Sequence, residues 1–224
     1  MLTIIPTPIG NLGDISVRAI EQLKQVDFLL AEDTRVSGRL LKHFGITVSL
    51  RSYHIKNEHR LTSQIVDELK EGACAGLITD AGTPGISDPG YLLVRACIDA
   101  GVNVQCLPGA TAFVPALILS GLPNHHFFFE GFLPHKKGRQ TRLAYLASLE
   151  DTFILYESPH RIHRCLRELS TICGAERSAC LCRELTKMHE EVVRGSLIEL
   201  VSWAEERARI RGEIVVVVGG SRKG

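Results

Sequence analysis

The stretch Ala75–Gly90, AGLITDAGTPGISDPG, contains the pattern on which the fold prediction rests. Its first residues, Ala75–Thr79, form a short, mainly apolar run of the kind seen in strands that are buried on both faces of a sheet. The eleven residues that follow, Asp80–Gly90, are rich in glycine and proline and predict a loop. Because α/β proteins bind ligands beyond the carboxyl ends of their parallel strands, this loop is a candidate binding element.

On both sides of this stretch, short apolar runs alternate with amphipathic segments of helical period. The predicted strands of the first half are Leu2–Ile5, Asp27–Ala31, Val48–Tyr53, Ala75–Thr79 and Val102–Leu107. The predicted helices are Ile15–Gln25, Arg35–Phe44, Leu61–Leu69 (with Asn57 as a cap) and Leu92–Ala100. This alternation predicts a largely parallel sheet with helices on both faces.

A turn-forming cluster, GLPNHH, interrupts the pattern between Ser120 and His126 and predicts a domain boundary. The strands predicted beyond it are Phe127–Phe132, Thr152–Tyr156, Ala179–Arg183, Glu190–Gly195 (antiparallel) and Glu213–Gly219; the helices are Arg139–Leu149, Arg161–Cys173 and Ile198–Arg209. The continuous valine run of the last strand indicates burial on both faces. The predicted fold class is therefore α/β, with two α/β domains, 1–120 and 121–224, built on mixed, mainly parallel sheets.

Two further glycine-rich loops follow predicted strands, at Thr7–Asp14 (TPIGNLGD) and Leu107–Ala112 (LPGATA). Each could be no more than a tight turn, but three such loops at one sheet edge favour a binding site. Neither a G-x-G-x-x-G fingerprint nor a P-loop occurs in the sequence. We therefore expect the ligand to contact backbone amides and carbonyls, as a nucleoside with an amino-acid tail would.

Composition limits the classes of function. The seven cysteines form no C-x-x-C pair, which argues against a zinc site, and no metal is expected. The amino terminus lacks the features of a signal peptide, and no apolar run approaches the roughly 20 residues that span a bilayer. The sequence predicts a cytoplasmic protein without a membrane partner.

Basic residues are concentrated locally, although the net charge of the chain is only +1. Between Arg35 and Arg60, six lysines and arginines face a single acid, Glu58, and a second cluster lies at His135–Arg142. Such clusters are often merely solvated, but local positive charge on a nearly neutral chain favours contact with RNA phosphates. The candidate RNA-binding residues are Arg35, Arg39, Arg51, Lys56, Arg60, Lys136, Lys137 and Arg139. The last three precede a helix and are expected to form a mobile loop.

Eight motifs stand in a characteristic order along the whole chain. They are TPIGNLGDIS, AEDTR (Ala31–Arg35), DAGTPGISDPG, PGATA, EGFLP (Glu130–Pro134), YESPHR (Tyr156–Arg161), RELTK (Arg183–Lys187) and RGE (Arg211–Glu213). With these motifs the chain resembles the tetrapyrrole methylase family, in particular its branch that methylates 16S ribosomal RNA. AEDTR, DAGTPGISDPG and YESPHR set this branch apart from the corrin and sirohaem methylases of the same fold.

The resemblance implies an S-adenosylmethionine-dependent methyltransferase that works as a homodimer, with the cofactor folded in a cleft between the two domains. The implied substrate is the ribose 2′-hydroxyl of a cytidine in 16S rRNA of the 30S ribosomal subunit. The implied cofactor contacts are Ile9, Ala81, Gly82, Thr83, Ile86, Thr111, Ala112, Tyr156, Glu157, Leu185 and Ile214. Corrin and sirohaem methylases usually carry G-D-P where this chain has Gly82-Thr83-Pro84, so a threonine hydroxyl replaces a carboxylate.

Methyl transfer to a hydroxyl needs in-line alignment, and a base or hydrogen-bond acceptor near the weak nucleophile assists it. The candidates near predicted strand ends are Asp33, Asp80, Glu157 and Glu184, with His54 and His189 as further possibilities. Each could instead be a capping or ion-pairing residue, and the resemblance does not choose among them. We predict Glu184 and Glu157 as the catalytic carboxylates.

Two alternatives are compatible with the same residues. One is a methylase that acts on a carbon of a tetrapyrrole, whose carboxylates would also suit basic patches. The other is a ribosome-binding factor without catalytic activity that retains the pocket.

Overall fold

The computed structural model describes residues 1–221, which form two compact units, the first spanning Met1–Thr111 and the second beginning at Ala112. The sequence placed the boundary after Ser120, at the GLPNHH turn cluster, and predicted no helix between Thr111 and Ser120. The structure has the helix Phe113–Ser120 there, and it packs against the second sheet. Its sequence, FVPALILS, is apolar all round, so it lacks the amphipathic period from which helices are recognised.

The first unit is a five-stranded parallel sheet with the strand order β3-β2-β4-β1-β5. The strands are β1 Leu2–Ile4, β2 Phe28–Ala31, β3 Ser49–Ser52, β4 Ala75–Ile78 and β5 Val104–Cys106. The helices are α1 Val17–Gln25, α2 Thr34–His43, α3 Glu58–Lys70 and α4 Tyr91–Asp99. Two separate apolar clusters contain alternate residues of the central strands, which confirms the doubly covered parallel sheet.

Strand β4 lies at the centre of this sheet, and all four of its residues are buried. A side chain at Gly76 would come within 2.5 Å of Leu29 and 3.0 Å of Ile5, so glycine is required for close packing. The carboxyl ends of β1, β4 and β5 are adjacent in the sheet, and this adjacency brings the three glycine-rich loops to one edge.

The second unit has a mixed five-stranded sheet with the order β6-β7-β10-β8-β9. The strands are β6 Phe127–Phe132, β7 Thr152–Glu157, β8 Ser178–Arg183, β9 Glu191–Ser196 and β10 Ile214–Val218. The helices are α5 Phe113–Ser120, α6 Arg139–Ser148, α7 Ile162–Cys173 and α8 Leu197–Glu205.

Pairing in the second sheet differs from the mainly parallel arrangement that the sequence predicted. Only β6 and β7 are parallel, and the remaining neighbours are antiparallel, including the predicted antiparallel strand β9. All residues of β10 are buried, as its valine run indicated. Burial on both faces reports the layers above and below a strand and carries no information about the direction of its neighbours.

Candidate active site

The three glycine-rich loops of the first unit are tied together by hydrogen bonds. Thr7 and Gly82 exchange backbone hydrogen bonds of 2.9 and 3.0 Å, which join the loop after β1 to the loop after β4. The Thr83 hydroxyl donates to the Ala110 carbonyl oxygen at 2.9 Å and so joins the second loop to the third. The predicted contacts of this unit therefore lie on one interlocked edge.

Gly82 is a point of close contact between the loop after β4 and the loop after β1. Its φ of +90° is a conformation that residues with a side chain rarely adopt, and an added Cβ would lie 3.3 Å from Ile9. Ile9 is buried against it, while Ala81, Thr83, Ile86, Thr111 and Ala112 are half-buried. These predicted cofactor contacts offer backbone groups, small side chains and aliphatic groups, and none of them carries a charge. That chemistry fits the nucleoside and methionine parts of S-adenosylmethionine, which contains no phosphate.

Three carboxylates, Glu32, Asp33 and Asp80, follow the neighbouring strands β2 and β4. The Asp33 backbone N–H donates to Asp80 Oδ1 at 3.1 Å, and the Asp33 carboxylate pairs with Arg35 at 2.6 Å. Asp33 also caps helix α2 by accepting a hydrogen bond from the Arg35 N–H. Asp33 is therefore engaged by its own helix. Sequence reasoning missed Glu32, although its place directly after the buried strand β2 was a usable signal.

The pKa values of these carboxylates separate their roles. Hydrogen bonds and charge from Arg35 hold the pKa of Asp33 far below its usual range. The pKa of Asp80 is raised overall. Partial desolvation and the Asp33 charge raise it, whereas the hydrogen bond from the Asp33 N–H and the Arg35 charge lower it. Burial and the charge of Asp80 raise the pKa of Glu32, and His54 opposes this shift. Asp80 and Glu32 are consequently stronger proton acceptors than Asp33.

Glu184, a predicted catalytic carboxylate, makes hydrogen bonds that stabilise the turn in which it lies. It has a φ of +53°, and its carboxylate accepts hydrogen bonds from Lys187 Nζ at 2.8 Å and from the Glu213 N–H at 3.0 Å. Burial alone would raise the pKa of Glu184, but these bonds and the charges of Lys187 and Arg183 lower it below its ordinary value. A carboxylate whose pKa is lowered in this way is a poor general base.

Glu157, the second predicted catalytic carboxylate, is 2% exposed and cannot meet a substrate. Its Oε1 accepts hydrogen bonds from the Ser158 N–H at 2.7 Å and from Arg161 Nε at 2.8 Å, while its Oε2 lies 3.7 Å from Arg139 Nη2. Its carboxylate is therefore engaged within its own unit, which argues against a catalytic base, while a cofactor contact at Glu157 stays a prediction. The ion pair with Arg161 is local in sequence, whereas the approach of Arg139 depends on a tertiary contact that spacing does not reveal.

Arg139, predicted to contact RNA from a mobile loop, is also buried, at 2% exposed. It begins helix α6 and donates to Glu168 Oε2 from Nε at 2.8 Å and to the Pro134 carbonyl oxygen at 3.1 Å. The prediction that Arg139 contacts RNA from a mobile loop is wrong, because its guanidinium is buried and paired with Glu168 inside the unit. Cys165 is buried beside the same network; burial raises the pKa of its thiol, the Glu157 charge adds to this shift, and Arg139 opposes it.

The other predicted residues of the second unit lie on adjacent elements. Tyr156 and Glu157 end β7, Ile214 begins β10, and the two strands pair with Ile214 opposite Glu157. Leu185 follows β8 in the Glu184 turn and is buried, while Tyr156 is half-buried. The structure thus brings Tyr156, Leu185 and Ile214 to one end of this sheet.

The remaining basic candidates are exposed side chains. Arg39, Lys56 and Arg60 belong to the first unit, and Lys136 and Lys137 lie in the loop before α6. Arg35 is exposed but paired with Asp33, and Arg51 pairs with Glu68 at 2.6 Å while lying over the Phe28 ring. Across residues 1–221, no group of His, Cys, Asp and Glu side chains is arranged to hold a metal ion. No helix in that range is both long and apolar enough to span a membrane.

The fold and these loops define the chain as a tetrapyrrole methylase. A model of the family described as Tetrapyrrole (Corrin/Porphyrin) Methylases matches residues 1–201, and the chain belongs to this family. Among curated proteins it is 48% identical to Ribosomal RNA small subunit methyltransferase I of Synechocystis, over 99% of this chain and 79% of that protein. It is 45% identical to the protein of the same name from Escherichia coli O157:H7, over 99% of this chain and 78% of that protein.

Solved structures share the fold at low sequence identity. The methyltransferase CobJ superposes with a TM-score of 0.72 at 20% identity, over 100% of this chain and 96% of that one. The uroporphyrin-III C-methyltransferase of Thermus thermophilus in complex with S-adenosylhomocysteine gives a TM-score of 0.67 at 18% identity, over 97% and 96% of the two chains. These likenesses confirm the family's fold.

Proposed function

We propose that this chain transfers a methyl group from S-adenosylmethionine to the ribose 2′-hydroxyl of a cytidine in 16S rRNA of the small ribosomal subunit. The observation that carries the proposal is the interlocked edge formed by Thr7, Gly82 and Thr83, in a chain 48% identical to a small-subunit rRNA methyltransferase. The tetrapyrrole-specific alternative draws on the family model and on structures of 20% identity or less, and these define the fold without specifying the substrate.

The first unit supplies most of the proposed cofactor contacts. S-adenosylmethionine provides an activated methyl group on a sulfonium, and the loops would hold it through backbone groups of Ala81, Gly82 and Thr111. Ile9 and Ile86 offer apolar surface, while the Thr83 hydroxyl acts indirectly by fixing the second loop to Ala110. Ala112, Tyr156, Leu185 and Ile214 are proposed as further contacts.

Asp80 is proposed as the group that accepts the proton from the ribose hydroxyl, in place of Glu184 and Glu157. It is exposed at the end of β4, directly before the predicted contacts Ala81–Thr83, and its pKa is raised. A raised pKa strengthens a carboxylate as a base, and alignment of the hydroxyl supplies the rest of the acceleration. The Asp33 charge contributes to that shift, and the Asp80 charge in turn helps to raise the pKa of Glu32.

RNA contact is proposed for the exposed cations of each unit. Arg39, Lys56 and Arg60 in the first unit, and Lys136 and Lys137 in the second, are free of the ion pairs that the structure records for Arg35, Arg51 and Arg139. Arg35 and Arg51 could still exchange their exposed partners for phosphate, because surface ion pairs contribute little free energy. Arg139 is excluded from the proposed interface by its burial.

A homodimer in the cytoplasm is proposed as the working form. Helix α5 presents Ile118, 62% exposed, and Val114, 48% exposed, on its outer side. Large apolar side chains grouped on one helix are typical of protein–protein contacts. Such a contact would bury the part of this all-apolar helix that its own unit leaves open.

Incubation with methyl-labelled S-adenosylmethionine and either 30S subunits that lack the modification or a corrin precursor tests the proposal. Nuclease digestion followed by nucleoside analysis should place the label on the ribose of one cytidine. Label on the corrin precursor alone would establish the tetrapyrrole alternative. If calorimetry detects no S-adenosylmethionine binding, the chain is better explained as a ribosome-binding factor without catalysis.

A further inference from the structure

We propose that an aromatic row on β6 and β7 is a stacking platform for the bases of single-stranded RNA, with Phe132 as its principal contact. The inference rests on the proposed function, since it concerns how the RNA substrate is held. Phe132 lies in the EGFLP motif and Tyr156 is a predicted cofactor contact, but neither was assigned a role in RNA binding from the sequence.

A bulge in β6 places Phe132 on the same face as the other aromatic residues. Phe127 pairs with Thr152 and Phe129 with Ile154, and then the register shifts so that Phe132 pairs with Tyr156. Side chains alternate across a strand, so without the extra residue Phe132 would point to the opposite face. Gly131 in the bulge has a φ of +70°, which its lack of a side chain permits.

The rings form one continuous series on this face. Phe113 of α5 lies 6.3 Å from Phe127 and 4.7 Å from Phe129, measured between ring centroids. Tyr156 lies 5.1 Å from Phe129 and 5.6 Å from Phe132, both in edge-to-face geometry. These contacts restrain each ring, so a base that stacks on the row meets a preorganised surface.

The two ends of the row are open to solvent. Phe132 is 51% exposed and Phe127 is 43% exposed, while Ile154, which pairs with Phe129 on the same face, is fully buried. Covering a half-exposed aromatic ring with a flat partner removes apolar surface from water, which stabilises the complex.

The chain beyond Phe132 provides the charge that selects the partner. After Leu133 and Pro134 come His135, Lys136 and Lys137, all exposed, before helix α6 begins at Arg139. Arg161 Nη1 lies 2.7 Å from Nδ1 of His135, which ties this loop to the segment after β7. Exposed aromatic rings beside lysines are how single-stranded nucleic acids are bound, because each base offers a flat face and each nucleotide a phosphate.

Phe132→Leu and Phe132→Trp variants test the platform, with Tyr145→Leu as the matched control. Tyr145 is an equally exposed ring, 44% exposed, but it lies on α6 and packs edge-on against Phe128 outside the row. For Phe132→Leu we expect KM for 30S subunits to rise about tenfold, the scale set by loss of one base–aromatic stack. The kcat and the calorimetric Kd for S-adenosylmethionine should stay unchanged, Phe132→Trp should restore KM, and Tyr145→Leu should match the parent chain.

A pyrrolocytidine-labelled single-stranded oligonucleotide reports stacking directly. Its fluorescence should be quenched by the parent chain and by Phe132→Trp, and much less by Phe132→Leu. Quenching that is equal in all variants would overturn the platform while leaving the methyltransferase proposal intact. Loss of dimer by Phe132→Leu in sedimentation, with RNA binding retained, would also overturn it by assigning the row to a protein contact. Failure of the parent chain to methylate any rRNA would instead refute the proposed function.

Discussion

At the scale of single residues, Asp80 is where the proposed chemistry can be measured. Asp80→Asn removes the proton acceptor but keeps the size and the hydrogen-bond acceptor for the Asp33 N–H. We expect kcat to fall by about 100-fold or more, as general-base variants do, with the Kd for S-adenosylmethionine nearly unchanged.

The pH profile separates a base from a structural residue at this position. The ionised form of Asp80 is the active one, so the rate of the parent chain should fall as the pH drops through the pKa of Asp80, which lies above its ordinary 3.8. The Asp80→Asn profile should lack this acidic limb. An unchanged limb in the variant would assign the titration to another group, with Glu32 the first to examine.

Glu184 should affect stability and not the chemical step. Glu184→Gln weakens two charge-assisted hydrogen bonds, so the free energy of unfolding at pH 7 should fall by about 1–2 kcal/mol. Because the folded-state pKa of Glu184 is below the ordinary 4.5, its contribution is complete above that pH and is lost as the pH falls through the folded-state pKa. Denaturant titrations should therefore show the difference shrinking in acid, whereas Glu205→Gln, in an exposed ion pair, should change stability little at any pH.

Substitutions of Arg139 and Lys137 should have different effects, the first on stability and the second on RNA binding. Arg139→Met removes the buried cation between Glu157 and Glu168, and because each carboxylate keeps a second arginine, the cost should be about 3 kcal/mol, the lower end for a broken buried pair. Lys137→Met should leave the midpoint of unfolding unchanged but weaken RNA binding and reduce its salt dependence. If Arg139→Met were as stable as the parent chain, the ion-pair network would not be structural.

At the scale of elements, the hydrogen bond between Thr83 and Ala110 couples two loops that belong to different strands. Thr83→Val keeps the shape of the side chain and removes the donor, so the loop after β4 should lose its hydrogen bond to the loop after β5. We expect stability to fall by about 1 kcal/mol and the Kd for S-adenosylmethionine to rise. Thr83→Ser retains the hydroxyl and is the control; a normal Kd in Thr83→Val would show that the loops hold their positions without this bond.

Elements also show where sequence reasoning succeeds. The helices of the first unit were predicted within a few residues because each has one apolar face and an end signal, such as Ser16, which caps α1 by accepting from the Ala19 N–H. Helix α5 has no polar face, so it was missed, and the boundary was placed at the turn cluster that follows it.

At the scale of the whole molecule, the proposed homodimer depends on the outer side of α5. Ile118→Glu introduces a charge among apolar side chains and should convert the dimer to monomer in sedimentation analysis. Ile98→Glu, at a similarly exposed isoleucine of α4 in the first unit, is the control and should leave the dimer intact. A parent chain that is monomeric at micromolar concentration would remove the dimer from the proposal.

The sequence by itself determined the alternation of strands and helices, the loop Asp80–Gly90 and the buried run Val215–Val218. These are local properties, because apolar period, glycine and proline act on neighbouring residues of the chain. Only the tertiary structure decided that Glu157 and Arg139 are buried in one ion-pair network, that β10 pairs antiparallel with β7 and β8, and that Thr83 meets Ala110. Each of these joins residues distant in sequence, and hydrophobic patterning specifies that a residue is buried without specifying which partner buries it.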